Sequence, residues 1–554
     1  MSINHHKSRA PLREPFATVL SHSHSSQWFV IEFYTTPGPF STIRHPDSRP
    51  ALLQLPAELL DLVASFVATH RDLVALALTC RALACIIIPT HAAYRDIRID
   101  SRRGPTPWEN ITARPNFAAG VRCVTLFDRS EARRFLPERF PNVIIPAAVS
   151  DAAVTSSREL RRMPRKKRGG LNAETLAAAA NALRVMPNLH SLVFSGSLLH
   201  DMPACHSAEA LFWEAAVSRR DSLRHIEYIQ PLNPPAPLPR YTTEVQLYPF
   251  WSISNLTSLS VKHAAFLRHP PSVVQFSRVL HNSPSLENLT IEVYDWAFDL
   301  RSLFHEVRFP HLRTLALEIY ARPEPTNARA LAEFLERTPT LQHVAWYHLD
   351  PGPLSSGALP ALRSLRADVP DSPGIAGRAL LPDSALVSLG PICVTPRTME
   401  AMEHMRRREM LRRLDVVSFE SIPSLVRVVS LFPHLRWLRV PTVDYWHEHR
   451  TVTPVPIHPG EWVKVLDALP MLEIFRGVSI FRDPDNSNVE ENDVRARDIL
   501  NICPRMRQVE HWDLDPTHVI SLESEGDRVV WRVVEVVDET DESSVRDTWT
   551  RETI

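Results

Sequence analysis

Residues 310–317 read PHLRTLAL, and the fold of the chain can be predicted from this short phrase. Leu315 and Leu317 alternate along an extended segment, so their side chains point to one side, and Leu312 turns in toward the same side from the preceding loop. Pro310 lacks an N–H group and cannot continue a helix, so a helix ends before it and a strand begins just beyond it. The phrase predicts a turn followed by a short strand with one buried face.

The phrase, written P-x-L-x-x-L-x-apolar, recurs along most of the chain beyond residue 100. Close copies begin at Pro187, Pro284, Pro339 and Pro433, and looser copies begin near residue 121 and at residues 221, 254, 360, 409, 470 and 504. From residue 187 onward, successive copies start 21 to 49 residues apart. An irregular period in this range is typical of a solenoid built from helix-plus-strand units.

Apolar residues at helical spacing precede several copies, as at Leu331, Phe334 and Leu335 before the copy at Pro339. One unit is therefore predicted to be a helix, a proline turn and a strand. We predict an α/β solenoid over residues 101–520, with a parallel sheet on one side and helices on the other. The proline-rich stretch 231–248 is expected to interrupt it, as is the proline-bearing DVPDSPG within residues 368–408, and residues 521–554 are expected to form a cap strand and an acidic tail.

A different pattern occupies residues 55–99, LPAELLDLVASFVATHRDLVALALTCRALACIIIPTHAAYRDIRI. It predicts three short helices with more apolar positions than so small a bundle can bury. Pro56 suits the first position of a helix, and the Asp72 carboxylate can cap a second helix by accepting backbone N–H groups. A unit of about 45 residues is marginal alone, so a partner or a large neighbour must cover the remaining apolar surface.

The motif Leu55-Pro56-x-Glu58-Leu59-Leu60, followed by Asp72-Leu73-x-x-Leu76 and Cys80-Arg81, resembles an F-box. Leu83 stands where many F-boxes have Trp, and Thr79 where Val is usual. The resemblance implies that residues 51–100 dock on a Skp-type adaptor, and through it on a cullin, while the rest of the chain selects a protein substrate. It implies an adaptor contact by Leu55, Pro56, Glu58, Leu59, Leu60, Asp72, Leu73, Leu76, Cys80 and Arg81. The repeats likewise resemble the irregular leucine-rich repeats that often follow an F-box, particularly in fungal chains.

The composition favours a folded protein that is not an enzyme. Apolar residues make up 44% of the 554, and a net charge of -1 gives no overall attraction to nucleic acid or anionic lipid. With 14 glycines, the sequence contains no GxSxG, P-loop, HExxH or CxxC motif. We therefore predict no catalytic residues, no metal site and no cofactor.

Localisation is predicted to be cytoplasmic, nuclear or both. The six cysteines have no paired ligand spacing, which indicates reduced, buried thiols. No stretch approaches the ~20 apolar residues needed to span a bilayer, so secretion and membrane anchoring are not expected. Residues 1–50 are rich in His, Ser and Pro and are predicted to be a disordered arm. The basic cluster RRMPRKKR, residues 161–168, is either a nuclear-import signal, a phosphate-binding patch or a solvated loop.

Strand residues that face away from the core are predicted to line the concave surface of the solenoid, with Trp346 and Trp437 available nearby. Candidates for binding a protein substrate are Glu227, Thr290, Arg366, Asp415 and Arg439. The leading hypothesis is a substrate-recognition subunit of a Skp/cullin/F-box-type ubiquitin ligase. Two alternatives stay open: a non-enzymatic leucine-rich-repeat scaffold whose F-box-like bundle only caps the solenoid, and a nucleic-acid-associated regulator that uses RRMPRKKR. The near-neutral charge disfavours the second.

Overall fold

The fold was analysed in a computed structural model of the chain. It describes residues 18–22, 28–32, 52, 55–67, 70–87, 95–100, 104–127, 173–196, 203–230, 248–263, 267, 270–293, 299–304, 307–319, 325–347, 354–355, 357–368, 385–440, 459–483, 488–513, 518–525 and 528–535. The basic cluster RRMPRKKR lies outside the described residues.

One open sheet of sixteen strands dominates the described part of the chain, and the order of its strands in space follows their order in the sequence. Two of the sixteen form an antiparallel hairpin at the end, which leaves fourteen parallel strands. Numbered β3 to β18, the strands are Asp96–Asp100, Cys123–Phe127, Ser191–Ser195, His225–Ile229, Ser258–Lys262, Asn288–Val293, Thr314–Ile319, His343–Tyr347, Ser364–Asp368, Ser388–Val394, Arg413–Phe419, Trp437–Arg439, Ile474–Arg476, Gln508–Glu510, His518–Glu525 and Arg528–Glu535. This arrangement is the predicted α/β solenoid-like array.

The alignment of apolar residues on neighbouring strands holds the array together. Each parallel strand places one apolar side chain directly opposite that of the next strand, and Leu289 and Leu315 are two such neighbours. The resulting row is at most 3% exposed along its whole length: Ile97, Val124, Leu192, Ile226, Leu259, Leu289, Leu315, Val344, Leu365, Leu389, Leu414, Leu438, Phe475 and Val509. Burying one such side chain stabilises the fold by about 1.5–3 kcal/mol. The row therefore makes every unit depend on its neighbours for burial.

Helices cover the face of the sheet to which this row points, and their apolar sides join the same core. Several begin with proline in the first turn, where a missing N–H costs nothing, and the helices Pro396–Glu403 and Ile422–Val429 begin with capping boxes at Thr395 and Ser421. Numbered α4 to α14, the helices are Thr106–Thr112, Pro115–Ala118, Ala173–Arg184, Pro203–Val217, Pro270–His281, Leu300–Phe304, Pro325–Glu336, Pro396–Glu403, Ile422–Val429, Pro459–Asp467 and Val489–Ile502. Two 3-10 segments are Pro249–Ser252 and Arg408–Met410.

The three predicted N-terminal helices are present as Ala57–Phe66 (α1), His70–Thr79 (α2) and Arg81–Ile87 (α3). They enclose a small core of their own, formed by Leu60, Ala64, Leu73, Ala77, Leu83 and Ile87. Among the described residues this core is separate from that of the solenoid. We call α1, α2 and α3 the helical bundle.

Some boundaries differ from those predicted. Strand β3 lies inside residues 51–100, which were assigned to the F-box, yet it is the first strand of the sheet. Strand β12 and helix α11 form a regular unit inside residues 368–408 that the repeat phrase did not indicate, while the expected interruption at 369–374 lies outside the described residues. At the C-terminus, the cap is a two-stranded hairpin, β17 with β18, rather than a single strand. Most of the arm at 1–50 lies outside the described residues, but Thr18–His22 (β1) and Trp28–Glu32 (β2) pair as an antiparallel hairpin.

The cysteines are less uniformly buried than predicted. Cys393 and Cys503 are buried, Cys80 and Cys123 are half-buried, and Cys85 is exposed; all five have free thiols. No helix in the described part of the chain is long and apolar enough to cross a membrane.

Candidate functional site

Two surfaces carry the residues that the sequence indicated, and the first is the helical bundle. Pro56, Glu58, Asp72 and Arg81 are exposed, and the side chain of Leu59 is 44% exposed. Helix α1 thus has a solvent-facing leucine in its first turn, three residues after the N-cap residue Pro56. An exposed leucine indicates a protein contact when other exposed apolar side chains lie close to it.

Burial corrects part of the predicted adaptor contact. Leu60 and Leu73 are 4% and 0% exposed because they fill the core of the bundle itself. Leu55, Leu76 and Cys80 are half-buried and pack against that core. Leu60 and Leu73 therefore stabilise the bundle and do not present side chains to a partner in the free chain.

Sequence reasoning missed two exposed leucines of the bundle. Leu62 on α1 is 50% exposed and Leu78 on α2 is 53% exposed. Leu62 lies three residues beyond Leu59, so both occupy one side of α1. The three-residue spacing of Leu59 and Leu62 could have indicated a second apolar side of α1. The four-residue spacing of Leu60 and Ala64 on the same helix marks the side that forms the core.

The second surface is the helix-free face, defined here as the side of the sheet opposite the helices. Glu227, Thr290, Arg366, Asp415 and Arg439 each follow a buried residue of the apolar row and point to this face. Ser260, on the strand between them, lies opposite both Glu227 and Thr290, so the three residues are aligned across neighbouring strands. Asp415 lies directly opposite Arg439. The structure thus places all five candidates on one face: Glu227 and Thr290 form a first group, Asp415 and Arg439 a second, and Arg366 lies on strand β11 between them.

In the first group, Glu227 is neutralised by Lys262, and a second polar contact lies beside this ion pair. Lys262 Nζ lies 2.7 Å from Glu227 Oε1, and His263 Nδ1 lies 2.9 Å from Glu292 Oε1. The side chains of Lys262, His263 and Glu292 are 9–11% exposed. These pairs hold polar side chains in a fixed arrangement, with the Glu227 carboxylate, 31% exposed, as the most accessible member.

The second group depends on a glycine. Gly390 has φ +144°, and a Cβ atom there would overlap the side chain and backbone of Asp415. Its lack of a side chain lets strand β13 approach closely and leaves Asp415 buried at 9% exposure. Arg439 is half-buried opposite it, next to Arg476 on the following strand. Asp415 is better placed to hold neighbouring groups than to meet a partner directly.

The two tryptophans are less available than predicted. Trp346 is fully buried because it alternates with Val344 and pairs with Leu317 on the helix-covered face. Trp437 is on the helix-free face but is 8% exposed, and the Arg413 guanidinium lies 3.8 Å from its ring centroid. A cation–π contact of this kind orients the arginine and covers the indole.

Comparison with known proteins adds little to this geometry. No protein-family model matches the chain, and no curated protein matches its sequence. A chain in the crystal structure of the yeast Rad7 and Elc1 complex aligns with 77% of this chain and 89% of its own length, at 13% identity and a TM-score of 0.37. A score this low does not establish a shared fold, so the architecture rests on the strand order and register given above.

Among the described residues, no group of three or more His, Cys, Asp or Glu side chains is arranged to hold a metal ion.

Proposed function

We propose that this chain is a substrate-recognition subunit of a Skp/cullin/F-box-type ubiquitin ligase. In this proposal the helical bundle docks on a Skp-type adaptor, and through it on a cullin, while the solenoid binds a protein target. The chain supplies recognition and no catalytic group or cofactor, and it acts in the cytoplasm, the nucleus or both.

The observation that carries the proposal is the helical bundle with its exposed leucines. Its sequence matches the F-box pattern in order and spacing, and its helices cover the expected segments. Leu59 and Leu62 leave about half of their side-chain surface in water although they share one side of α1. An apolar side of this kind is stabilised when a partner removes it from water.

The separate core of the bundle favours this function over the scaffold alternative. A bundle that only capped the solenoid would share its apolar core with the first repeat. In the described residues the two cores are distinct clusters, and Leu59 and Leu62 belong to neither. The exposed leucines are therefore available for a partner other than the first repeat.

Co-expression of the full chain with a Skp-type adaptor, followed by affinity purification, tests the proposal. Leu59→Asp should abolish adaptor recovery, because a charge placed against an apolar partner without a counter-charge costs several kcal/mol, on the order of a thousandfold in affinity. Leu211→Asp is the matched control, since Leu211 is 43% exposed on a helix of the solenoid. Leu73→Asp is unsuitable, because it would unfold the bundle.

Adaptor recovery that is equal for wild type, Leu59→Asp and Leu211→Asp would remove the docking surface proposed here. Failure of the wild-type chain to recover any adaptor would favour the scaffold alternative. Circular dichroism of each variant establishes that the solenoid is folded in every case.

A further inference from the structure

A row of residues lies along the edge of the sheet at which the parallel strands begin. We call it the edge row: the residues that immediately precede the parallel strands. The main-chain carbonyl of each except Arg507 accepts two N–H groups from the next unit, as Arg313 does from Gln342 at 2.8 Å and His343 at 2.9 Å, whereas the carbonyl of Arg507 accepts one, from Leu522. The row consists of Arg95, Arg122, His190, Arg224, Thr257, Glu287, Arg313, Gln342, Arg363, Val387, Arg412, Arg436, Glu473 and Arg507.

The charge of this row is unlike that of the chain. Eight of its positions are arginine and two are glutamate, whereas the whole chain has a net charge of -1. Because neighbouring strands lie about 4.8 Å apart, the row extends over roughly 60 Å. Positive charge concentrated along one line attracts an anionic partner even when the overall charge is near zero.

Most of this charge is not neutralised. Arg436 lies 3.7 Å from Glu473 and is paired with it. Arg224 and Arg412 donate hydrogen bonds to main-chain carbonyls, which satisfies their donors but leaves their charge. Arg313 and Arg363 are exposed and make no side-chain hydrogen bond or ion pair in the part of the chain that the structure describes.

The arginines of the row also influence one another. The pKa of Arg412 is lowered by burial and then by the charge of Arg436, and the pKa of Arg95 by burial and then by Arg122. Burial together with Arg363 lowers the pKa of His343 to about 4. Repulsion between neighbouring cations is relieved when an anion binds between them.

We propose that the edge row is a docking surface for an acidic segment of a partner protein. Carboxylates accept paired hydrogen bonds from arginine. The row offers no aromatic ring of Phe, Tyr or Trp on which a base could stack, which disfavours single-stranded nucleic acid. Glu287 and Glu473 also interrupt the row, and an acidic segment can place neutral residues opposite them, whereas evenly spaced phosphates cannot.

The docking surface is distinct from both surfaces of the proposed function, and its test does not depend on adaptor binding. Fluorescence anisotropy of the full chain with a fluorescein-labelled repeating Glu-Ser peptide measures binding directly. Affinity should fall as salt is raised. Arg313→Glu combined with Arg363→Glu should weaken binding about tenfold or more, because two contacts are lost and two repulsions are created.

Two further variants keep the result interpretable. Arg329→Glu combined with Arg397→Glu makes the same change in net charge on exposed helix positions outside the edge row, and it should alter the affinity less than about twofold. Glu287→Gln should strengthen peptide binding, an effect that misfolding cannot produce.

Three outcomes would overturn the inference. These are no binding of the Glu-Ser peptide at low salt, an equal loss of affinity in the two double variants, or an unchanged affinity in Glu287→Gln. Tighter binding of an oligothymidylate of the same length than of the peptide would replace the acidic protein segment with nucleic acid as the partner.

Discussion

Leu315 lies directly opposite Leu289 on the neighbouring parallel strand, although the two residues are 26 positions apart in the chain. Both side chains are 0% exposed. A contact that joins consecutive units in this way makes the core continuous, so damage at one position is felt by the units on either side.

Truncation of Leu315 should therefore be costly. Leu315→Ala is expected to lower the free energy of unfolding by about 2–5 kcal/mol, because a cavity is left where no neighbour can collapse fully. Leu211→Ala, at a leucine that is 43% exposed, should change it by about 0.5 kcal/mol or less. Chemical denaturation of both variants measures the difference, and equal effects would contradict a continuous core.

Removal of the C-terminal hairpin should impair solubility. Deleting residues 514–554 removes β17 and β18, leaving the hydrogen-bonding edge of Gln508–Glu510 open and uncovering Val509, which is now 0% exposed. An uncovered apolar edge of this kind promotes association between chains. Size-exclusion chromatography beside the full chain should show aggregates; a soluble monomer with an unchanged melting temperature would show that the hairpin is dispensable.

Stability should decrease with rising pH because of Glu209. Complete burial raises the pKa of its carboxyl well above the usual range, and the polar groups of the neighbouring Trp213 and Tyr248 side chains oppose this only in part. The folded state thus holds a proton that the unfolded chain releases above about pH 4.3. Stability is fully present below that pH and is lost as the pH rises toward the folded pKa.

Glu209→Gln keeps the shape of the side chain without the titration, so its melting temperature should fall less than that of wild type between mildly acidic and mildly alkaline solution. Glu214→Gln, at an exposed position of the same helix, serves as the control and should behave as wild type. A wild-type pH profile in Glu209→Gln would show that another group is responsible.

The thiols should differ sharply in reactivity. Cys85 is exposed and should be alkylated rapidly in the native chain. Burial, with a contribution from Asp467, raises the pKa of Cys503 to about 12, and its Sγ donates to the Leu466 carbonyl at 3.2 Å. Because the thiolate is the reactive form, Cys503 should react only after unfolding. Mass spectrometry after brief iodoacetamide treatment distinguishes the two sites, and native labelling of Cys503 would contradict its burial.

The solenoid could be predicted because each phrase contains its own turn and its own alternation. The unit at Ser388–Val394 was missed since SALVSLG, residues 384–390, has no initial proline and is followed by Pro391 where other copies have an apolar strand residue, although Leu386 and Leu389 keep the spacing. The burial of Trp346 was predictable in principle, because it alternates with Val344 in the same way that Leu317 alternates with Leu315.

The surface of the helical bundle was harder to predict. A short amphipathic helix in a bundle can have one apolar side for its own core and another for a partner. Helical spacing alone does not tell which is which, so Leu73 was assigned to the partner and Leu62 was overlooked. The alignment of the edge-row residues and the close contact between Gly390 and Asp415 both depend on how neighbouring units pack together. The sequence of a single repeat does not contain this information.

The match between strand order and chain order has a mechanical consequence. Every strand hydrogen-bonds to units adjacent in sequence, so a pull on the C-terminus would load β18 first and then each preceding strand in turn. The chain should extend in a series of small steps rather than in one abrupt rupture, with each step releasing one unit. A molecule built in this way could be drawn partly open from one end while the helical bundle at the other end stays folded.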